Sequence, residues 1–208
     1  MKRRISLLFL LTIAVVLTAC GGNANNDNAE NRDNTVKKDA DAQQVNKDEN
    51  TQKVNVNLNN GDGESVGTAT LNQVSDGVEI MIEGKNLPKG THAFHIHEKG
   101  QCEAPDFESA GGHYNPDDTN HGFDDPDGPH AGDMPNIVVG NDGTVKQSFL
   151  VENVSLEKGE NNSLLPDERT SLVIHEGADD GKSQPAGDAG DRLACGSISE
   201  SSGTAMHQ

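Results

Sequence analysis

The sequence predicts an all-β domain, an antiparallel sandwich or barrel, and three observations predict it. Apolar residues recur with a period of two in short runs, clusters of Gly, Asn and Asp separate those runs, and no convincing helical periodicity intervenes. The composition agrees. With 23 glycines, no tryptophan, one tyrosine and five phenylalanines in 208 residues, of which 32% are hydrophobic, the chain is rich in turns around a small core. The length sets one ordinary domain with an appended segment.

Along the chain, the first element is an export signal rather than part of that fold. Lys2, Arg3 and Arg4 form a positive start, Ile5 to Val16 is almost wholly apolar, and Leu17-Thr18-Ala19-Cys20 supplies small residues for processing. The apolar run is shorter than the roughly 20 residues a spanning helix needs. Its ending resembles a bacterial lipoprotein signal, which implies removal of residues 1–19 and a lipid on Cys20, the alternatives being an uncleaved anchor or a plain secretory peptide. The protein is then expected to be exported and lipid-anchored at the cell membrane, facing the extracellular or cell-wall side. Losing the three basic residues of the leader would take the formal charge from −18 to −21. Residues 20–50 follow as the lipidated cysteine and a polar tether whose branched aliphatics, Val36 and Val45, are too few to offset the entropy of ordering. The folded domain is expected over residues 51–199 and a frayed tail over 200–208.

Within the domain, Val54, Val56 and Leu58 alternate with Asn55, Asn57 and Asn59, and Val78, Ile80 and Ile82 alternate with Glu79, Met81 and Glu83. Both patterns suit strands with one buried face. Asn60-Gly61-Asp62-Gly63, Ser75-Asp76-Gly77, Gly140-Asn141-Asp142-Gly143 and Glu157-Lys158-Gly159 read as turns. Further strands are expected near 66–74, 92–98, 136–139, 145–151, 172–175 and 194–198, making eight. Two stretches break the spacing, 99–133 and 176–191, and loops of that length inside a compact domain are usually functional.

Sixteen basic against 34 acidic side chains repel phosphate backbones, so nucleic acid is an improbable partner, and adsorption to anionic lipid through a basic patch is equally disfavoured. With Cys20 assigned to lipid, Cys102 and Cys195 remain. In an oxidising exported setting an even pair reads as one disulfide, the alternative being two buried free thiols. The bridge would close a loop of about 94 residues, worth on the order of 4–5 kcal/mol in the chain-entropy model.

The histidines carry the chemistry. On a strand over 92–98, His92, Phe94 and Ile96 share one face, so His95 and His97 share the other as a two-point grip for a metal. His113, His121, His130 and Asp133 lie in the first long loop, and His175 ends an apolar strand. Imidazoles suit copper and zinc, and a carboxylate three residues after a histidine can complete a tetrahedral zinc set. A lone histidine is more often structural than ligating, so the weight rests on the group. His92 reads as a hydrogen-bonded structural residue and His207 as part of the tail.

At these residues the sequence resembles the copper/zinc superoxide dismutases of the exported bacterial type. The matching stretches are Gly90-Thr91-His92-Ala93-Phe94-His95-Ile96-His97-Glu98, Cys102-Glu103-Ala104-Pro105-Asp106-Phe107, Ser109-Ala110-Gly111-Gly112-His113-Tyr114-Asn115-Pro116, Pro129-His130-Ala131-Gly132-Asp133, Leu172-Val173-Ile174-His175-Glu176-Gly177-Ala178-Asp179-Asp180 and Gly190-Asp191-Arg192-Leu193-Ala194-Cys195-Gly196. The resemblance covers about residues 53–199. It implies an eight-stranded Greek-key barrel with long metal-binding and active-site loops. It implies an antioxidant enzyme that disproportionates the superoxide anion to dioxygen and hydrogen peroxide.

Carried over residue by residue, the resemblance implies that His95, His97, His113 and His175 hold copper. His113 would bridge to a zinc ion completed by His121, His130 and Asp133, and would take a proton when copper is reduced. Asp179 would hydrogen-bond a ligand of each metal, His121 on one side and His97 or His95 on the other, the family pattern favouring His95. Arg192 would guide the anion, and Cys102–Cys195 would pin the metal-site loop to the barrel. Ser183-Gln184-Pro185-Ala186-Gly187 departs from the family by lacking a channel threonine found in many eukaryotic members, and the loop after Asp180 is short. Lys182 is left either as a steering charge or as a solvated one. Two alternatives stand beside it, a metal-buffering or copper-delivery protein on the same scaffold and a structural surface module that has kept only the fold and zinc; neither needs an arginine beside copper, so the complete ligand set with Arg192 favours the enzyme.

Overall fold

The computed structural model describes residues 52–200. The export signal, Cys20, the tether through residue 50 and His207 lie outside the described residues. Strands β1 (Lys53–Asn60), β2 (Ser65–Val74) and β3 (Gly77–Gly84) form an antiparallel meander. In β1 the valines and Leu58 are buried and Asn55, Asn57 and Asn59 face solvent, as the alternation predicts. The Asn60 side chain closes the first turn by accepting from the N–H groups of Asp62 and Glu64 at 3.1 and 2.8 Å, the backbone bonding for which asparagine is favoured in turns.

The remaining strands are β4 (Gly90–His92), β5 (Phe94–His97), β6 (Ile137–Val139), β7 (Val145–Val151), β8 (Thr170–His175) and β9 (Arg192–Ile198). Seven of them form one antiparallel sheet in the order β5-β8-β9-β1-β2-β3-β7, and β4 pairs with β6. The last strand therefore lies beside the first and β7 returns to β3, the long-connection order of Greek-key folds. One turn of 3₁₀-helix, Glu108–Ala110, is the helical element of the described residues.

The strand count is nine rather than eight, because the run from 92 to 98 is two strands. β4 ends with His92 opposite Ile137, and β5 begins with Phe94 opposite Ile174. Between them the Ala93 N–H donates to Gly177 C=O at 2.8 Å and its C=O accepts from the His175 N–H at 2.9 Å. The chain thus changes partners at a single residue, and His92 stands on a different strand from His95 and His97.

Most of the apolar side chains form one core, with Val54, Leu58, Ile80, Ile82, Phe94 and Ile96 among its members. β8 is buried along its whole length: Leu172 and Ile174 enter the main core, while Val173 points the other way. On that far side Val173 packs with Phe107, Ala110 and Cys195, and Cys102 lies against them. Cys102 and Cys195 are joined as a disulfide with Cα atoms 5.6 Å apart. The long loop after β5 is thereby fixed over the β8–β9 face, and the space between loop and sheet is where the histidines gather.

Candidate metal centre

Because Phe94 and Ile96 fill the core, the alternation of β5 turns His95 and His97 toward the loops. The long loop returns to this strand twice. Tyr114 N–H donates to Ile96 C=O at 2.8 Å, Ile96 N–H to Gly132 C=O at 2.9 Å, and Gly132 N–H to Tyr114 C=O at 2.8 Å, so three segments meet at one point. Only glycine fits there, since a Cβ on residue 132 would stand 2.3 Å from the Ile96 oxygen. That crossing brings His113, His130 and Asp133 beside the β5 histidines.

The result is two groups of four side chains that share His113. One comprises His95, His97, His113 and His175, the other His113, His121, His130 and Asp133; within each, the candidate donor atoms lie within 4.8 Å of one another and every residue is buried. The hydrogen bonds of each ring decide which nitrogen faces the group. His95 Nε2–H donates to Asp179 Oδ2 at 2.8 Å, His97 Nδ1–H to Gly111 C=O at 3.0 Å, and His175 Nδ1–H to Gly190 C=O at 3.3 Å. His95 Nδ1, His97 Nε2 and His175 Nε2 are left as lone pairs, and the latter two stand 3.3 Å apart. In the second group Asp133 Oδ1 lies 2.8, 3.1 and 3.2 Å from Nδ1 of His113, His121 and His130.

These contacts fit a bound cation. His95 Nδ1, His113 Nε2 and His121 Nδ1 are buried ring nitrogens that make no hydrogen bond, the 3.1 Å approach of Asp133 Oδ1 to His121 Nδ1 setting lone pair against lone pair, a costly state unless something else satisfies them. The 3.4 Å between Nδ1 of His113 and His130 matches the edge, about 3.3–3.4 Å, of a tetrahedron whose bonds to zinc are about 2.0–2.1 Å, and the 2.8–3.2 Å separations around Asp133 Oδ1 are somewhat tighter. Neutral imidazole nitrogens suit copper, and a nitrogen set with one carboxylate suits zinc.

Two carboxylates order the rings. Asp179 Oδ1 accepts from His121 Nε2–H at 3.0 Å and from Gly181 N–H at 2.6 Å, so with its other oxygen on His95 it joins one residue of each group. Asp133 Oδ2 accepts from the N–H groups of Gly122 and His130 at 2.9 and 3.1 Å, which leaves Oδ1 for the site. Burial alone would raise both carboxyl pKa values, but hydrogen bonds from the histidines and backbone hold them well below the usual range. Among the histidines, burial pulls His95, His97 and His130 down and lowers His175 to about 3. For His121 burial is outweighed by Asp179 and Asp133, and its pKa rises.

Residues 65–198 match the family model described as copper/zinc superoxide dismutase (SODC). The chain belongs to the copper/zinc superoxide dismutase family. It is 50% identical over 147 residues to a Cu-Zn superoxide dismutase of Aquifex aeolicus, an alignment covering 70% of this chain and 87% of that protein. Among solved structures it is similar to a double mutant of a SOD-like protein from Bacillus subtilis, with a TM-score of 0.68 and 44% identity over 69% of this chain and 95% of that one. The Cu/Zn superoxide dismutase from Brucella abortus is similar at a TM-score of 0.59 and 28% identity, over 71% and 99% of the two chains.

Arg192 stands beside the first group. Its guanidinium donates to Phe107 C=O at 2.5 Å and to Gly111 C=O at 2.7 Å, the latter being the acceptor of His97 as well. It borders a cleft of about 420 Å³ that Asp106, Glu108 and Asp191 also line. Lys182 is exposed and lines neither this cleft nor the one of about 260 Å³ beside His175. His92 is buried with its ring nitrogens 2.9 and 2.8 Å from the carbonyls of His175 and Pro88. Sequence reasoning gave no role to Asn136, whose side chain pairs with both the N–H and C=O of Asp179 at 2.9 Å each. Nor did it single out Gly187, at φ 70°, where a Cβ would stand 2.0 Å from Asp179 Oδ1. Neither residue carries a spacing signal, because their partners lie far along the chain or act through backbone conformation.

Proposed function

We propose that His95 Nδ1, His97 Nε2, His113 Nε2 and His175 Nε2 hold copper, and that Nδ1 of His113, His121 and His130 with Asp133 Oδ1 hold zinc. The observation that carries this reading is the set of three buried, unpartnered ring nitrogens in two groups joined by His113. The chain is a copper/zinc superoxide dismutase, converting superoxide to dioxygen and hydrogen peroxide. Copper, when bound, supplies one-electron acceptance and donation in alternation, which suits a set of neutral imidazoles.

The chain's own residues do the rest. Arg192 binds the anion at the open side of the first group. With the metals bound, His113 would hold a proton at Nε2 and pass it to the reduced product. Asp179 keeps Nε2 of His95 and His121 protonated, which fixes the tautomers that aim both Nδ1 atoms inward.

The same reading extends to the cell surface. The positive start, the apolar run and Leu17-Thr18-Ala19-Cys20 support export, removal of residues 1–19 and a lipid on Cys20, with residues 20–50 as a tether for the domain from 51 to 199 and a tail from 200 to 208. The acidic charge disfavours adsorption to anionic lipid through a basic patch.

The test is metal analysis of the purified protein combined with a superoxide-decay assay. One copper and one zinc per chain, with activity above a free-copper control, are expected; full loading without activity would favour metal buffering. In cells, Cys20→Ser should leave the chain unprocessed or released, and unchanged processing and membrane retention would exclude the lipid anchor.

A further inference from the structure

His121 differs from the other proposed ligands in how its main chain is held. His95 and His97 lie in the ladder of β5 and β8, His175 pairs with Arg192 in the ladder of β8 and β9, and His113 forms a bridge with His97. The N–H of His130 donates to Asp133 Oδ2, and its C=O accepts from the Asp133 N–H. His121 is fully buried in an irregular stretch, and among the described residues neither its N–H nor its C=O has a backbone partner. One side chain from the other long loop takes both. His121 N–H donates to Gln184 Oε1 at 2.9 Å, and Gln184 Nε2 donates to His121 C=O at 2.8 Å, across 63 residues of sequence. The amide thus supplies the paired bonds that a neighbouring strand would supply.

We propose that Gln184 is a positioning residue of the zinc site. The inference rests on the ligand assignment above. Asp179 holds the His121 ring at Nε2 and Gln184 holds its main chain, so together they aim Nδ1 at Asp133. Without the amide, two buried backbone groups lose their partners, and the segment relaxes toward water and carries the ring with it. Because Gln184 and Asp179 sit on one loop, the clasp also ties the zinc ligands to the wall of the cleft beside His175. Gln184 belongs to the segment where the sequence departs from the family, and the clasp gives that segment a task of its own.

The test uses metal-free wild-type protein, Gln184→Ala, Gln184→Glu and, on the same loop, Lys182→Ala. Each is titrated with Zn(II) against a chelator, with Co(II) absorption as a reporter of geometry at the zinc set and circular dichroism as the check on folding. Gln184→Ala is expected to lose zinc affinity by about 10–100-fold and to show an altered Co(II) spectrum. Gln184→Glu keeps the acceptor for the His121 N–H but sets an oxygen against its C=O, and should fall between. Lys182→Ala should match wild type. Wild-type affinity and spectrum in Gln184→Ala, or an equal loss in Lys182→Ala, would overturn the role of the clasp. A wild-type chain that takes up no zinc would overturn the ligand assignment and this inference with it.

Discussion

Asp179 shows how much of the metal centre rests on single residues outside the ligand sets. Its two oxygens receive His95 and His121, and Asn136 fixes its main chain. In Asp179→Asn one oxygen becomes an NH₂ that faces a ring N–H, so one imidazole loses its orientation. Zinc retention should fall first, by roughly 10–100-fold, because His95 is also held by β5 whereas His121 has no ladder around it. Chelator competition for each metal measures this, and equal zinc affinity in the two proteins would contradict it. The family motifs made Asp179 legible in the sequence; Gly187 and Asn136 were not, since a close approach and an amide pairing leave no pattern along the chain. Proton linkage gives a second expectation for the metal-free protein. Burial lowers His175 to about 3, and His95, His97 and His130 are also lowered, while His121 is raised. Below pH 6.5 the unfolded chain binds protons that the lowered histidines refuse in the fold. Each such histidine then removes stability as the pH falls, down to about pH 3 for His175, and His121 offsets part of this by binding its proton more tightly when folded. The urea midpoint of the metal-free protein should therefore be lower at pH 5 than at pH 7; a flat or rising midpoint would mean that the four lowered groups do not stay buried and neutral.

At the scale of elements, the loop between β5 and His113 and strand β9 form one support. Gly111 C=O accepts from both His97 and Arg192, and Phe107 C=O accepts from Arg192, so both carbonyls must hold their places. The disulfide attaches that loop to β9 three residues after Arg192, and Phe107 and Ala110 pack against it. Replacing both cysteines by serine should cost about 2–5 kcal/mol in urea unfolding. It should also lower activity at matched metal content, because the arginine's acceptors drift. A double variant that unfolds later or equally, with full activity, would detach the bridge from this role. The meander β1 to β3 was readable because alternating Val and Asn, or Ile and Glu, state which face is buried. The division of 92–98 was not readable: the alternation runs through Ala93 without a break, and the change of sheet is set by Gly177 and His175, far away in sequence. Strand order is likewise non-local. β8 shows the mixed case, a continuous apolar run that announces burial on both faces without naming the disulfide cluster that covers one of them.

At the scale of the whole molecule, an anionic substrate must reach a chain of formal charge −18. Long-range repulsion slows its approach, so capture depends on a local positive field at the centre. Arg192 is placed to supply it. Among the described residues its guanidinium is held by carbonyl oxygens and forms no ion pair, so its charge is not cancelled by a partner. Burial lowers its pKa, with Glu108 and Asp106 opposing, and a guanidinium stays charged at any working pH. Those same carboxylates, with Asp191, line the cleft beside Arg192 and oppose its positive field. Arg192→Ala should therefore lower kcat/KM by about tenfold and Arg192→Glu by more, with copper and zinc contents unchanged. Glu108→Gln should act in the other direction, raising kcat/KM, because it removes opposition without touching a proposed ligand. Salt separates this from a packing effect. At 0.1 M the fields are screened over about 10 Å, so the charge-reversed enzyme should gain more from added salt, or lose less, than wild type. Full activity in Arg192→Glu with an unchanged salt response would show that the anion is captured without this arginine, even with both metal sites intact.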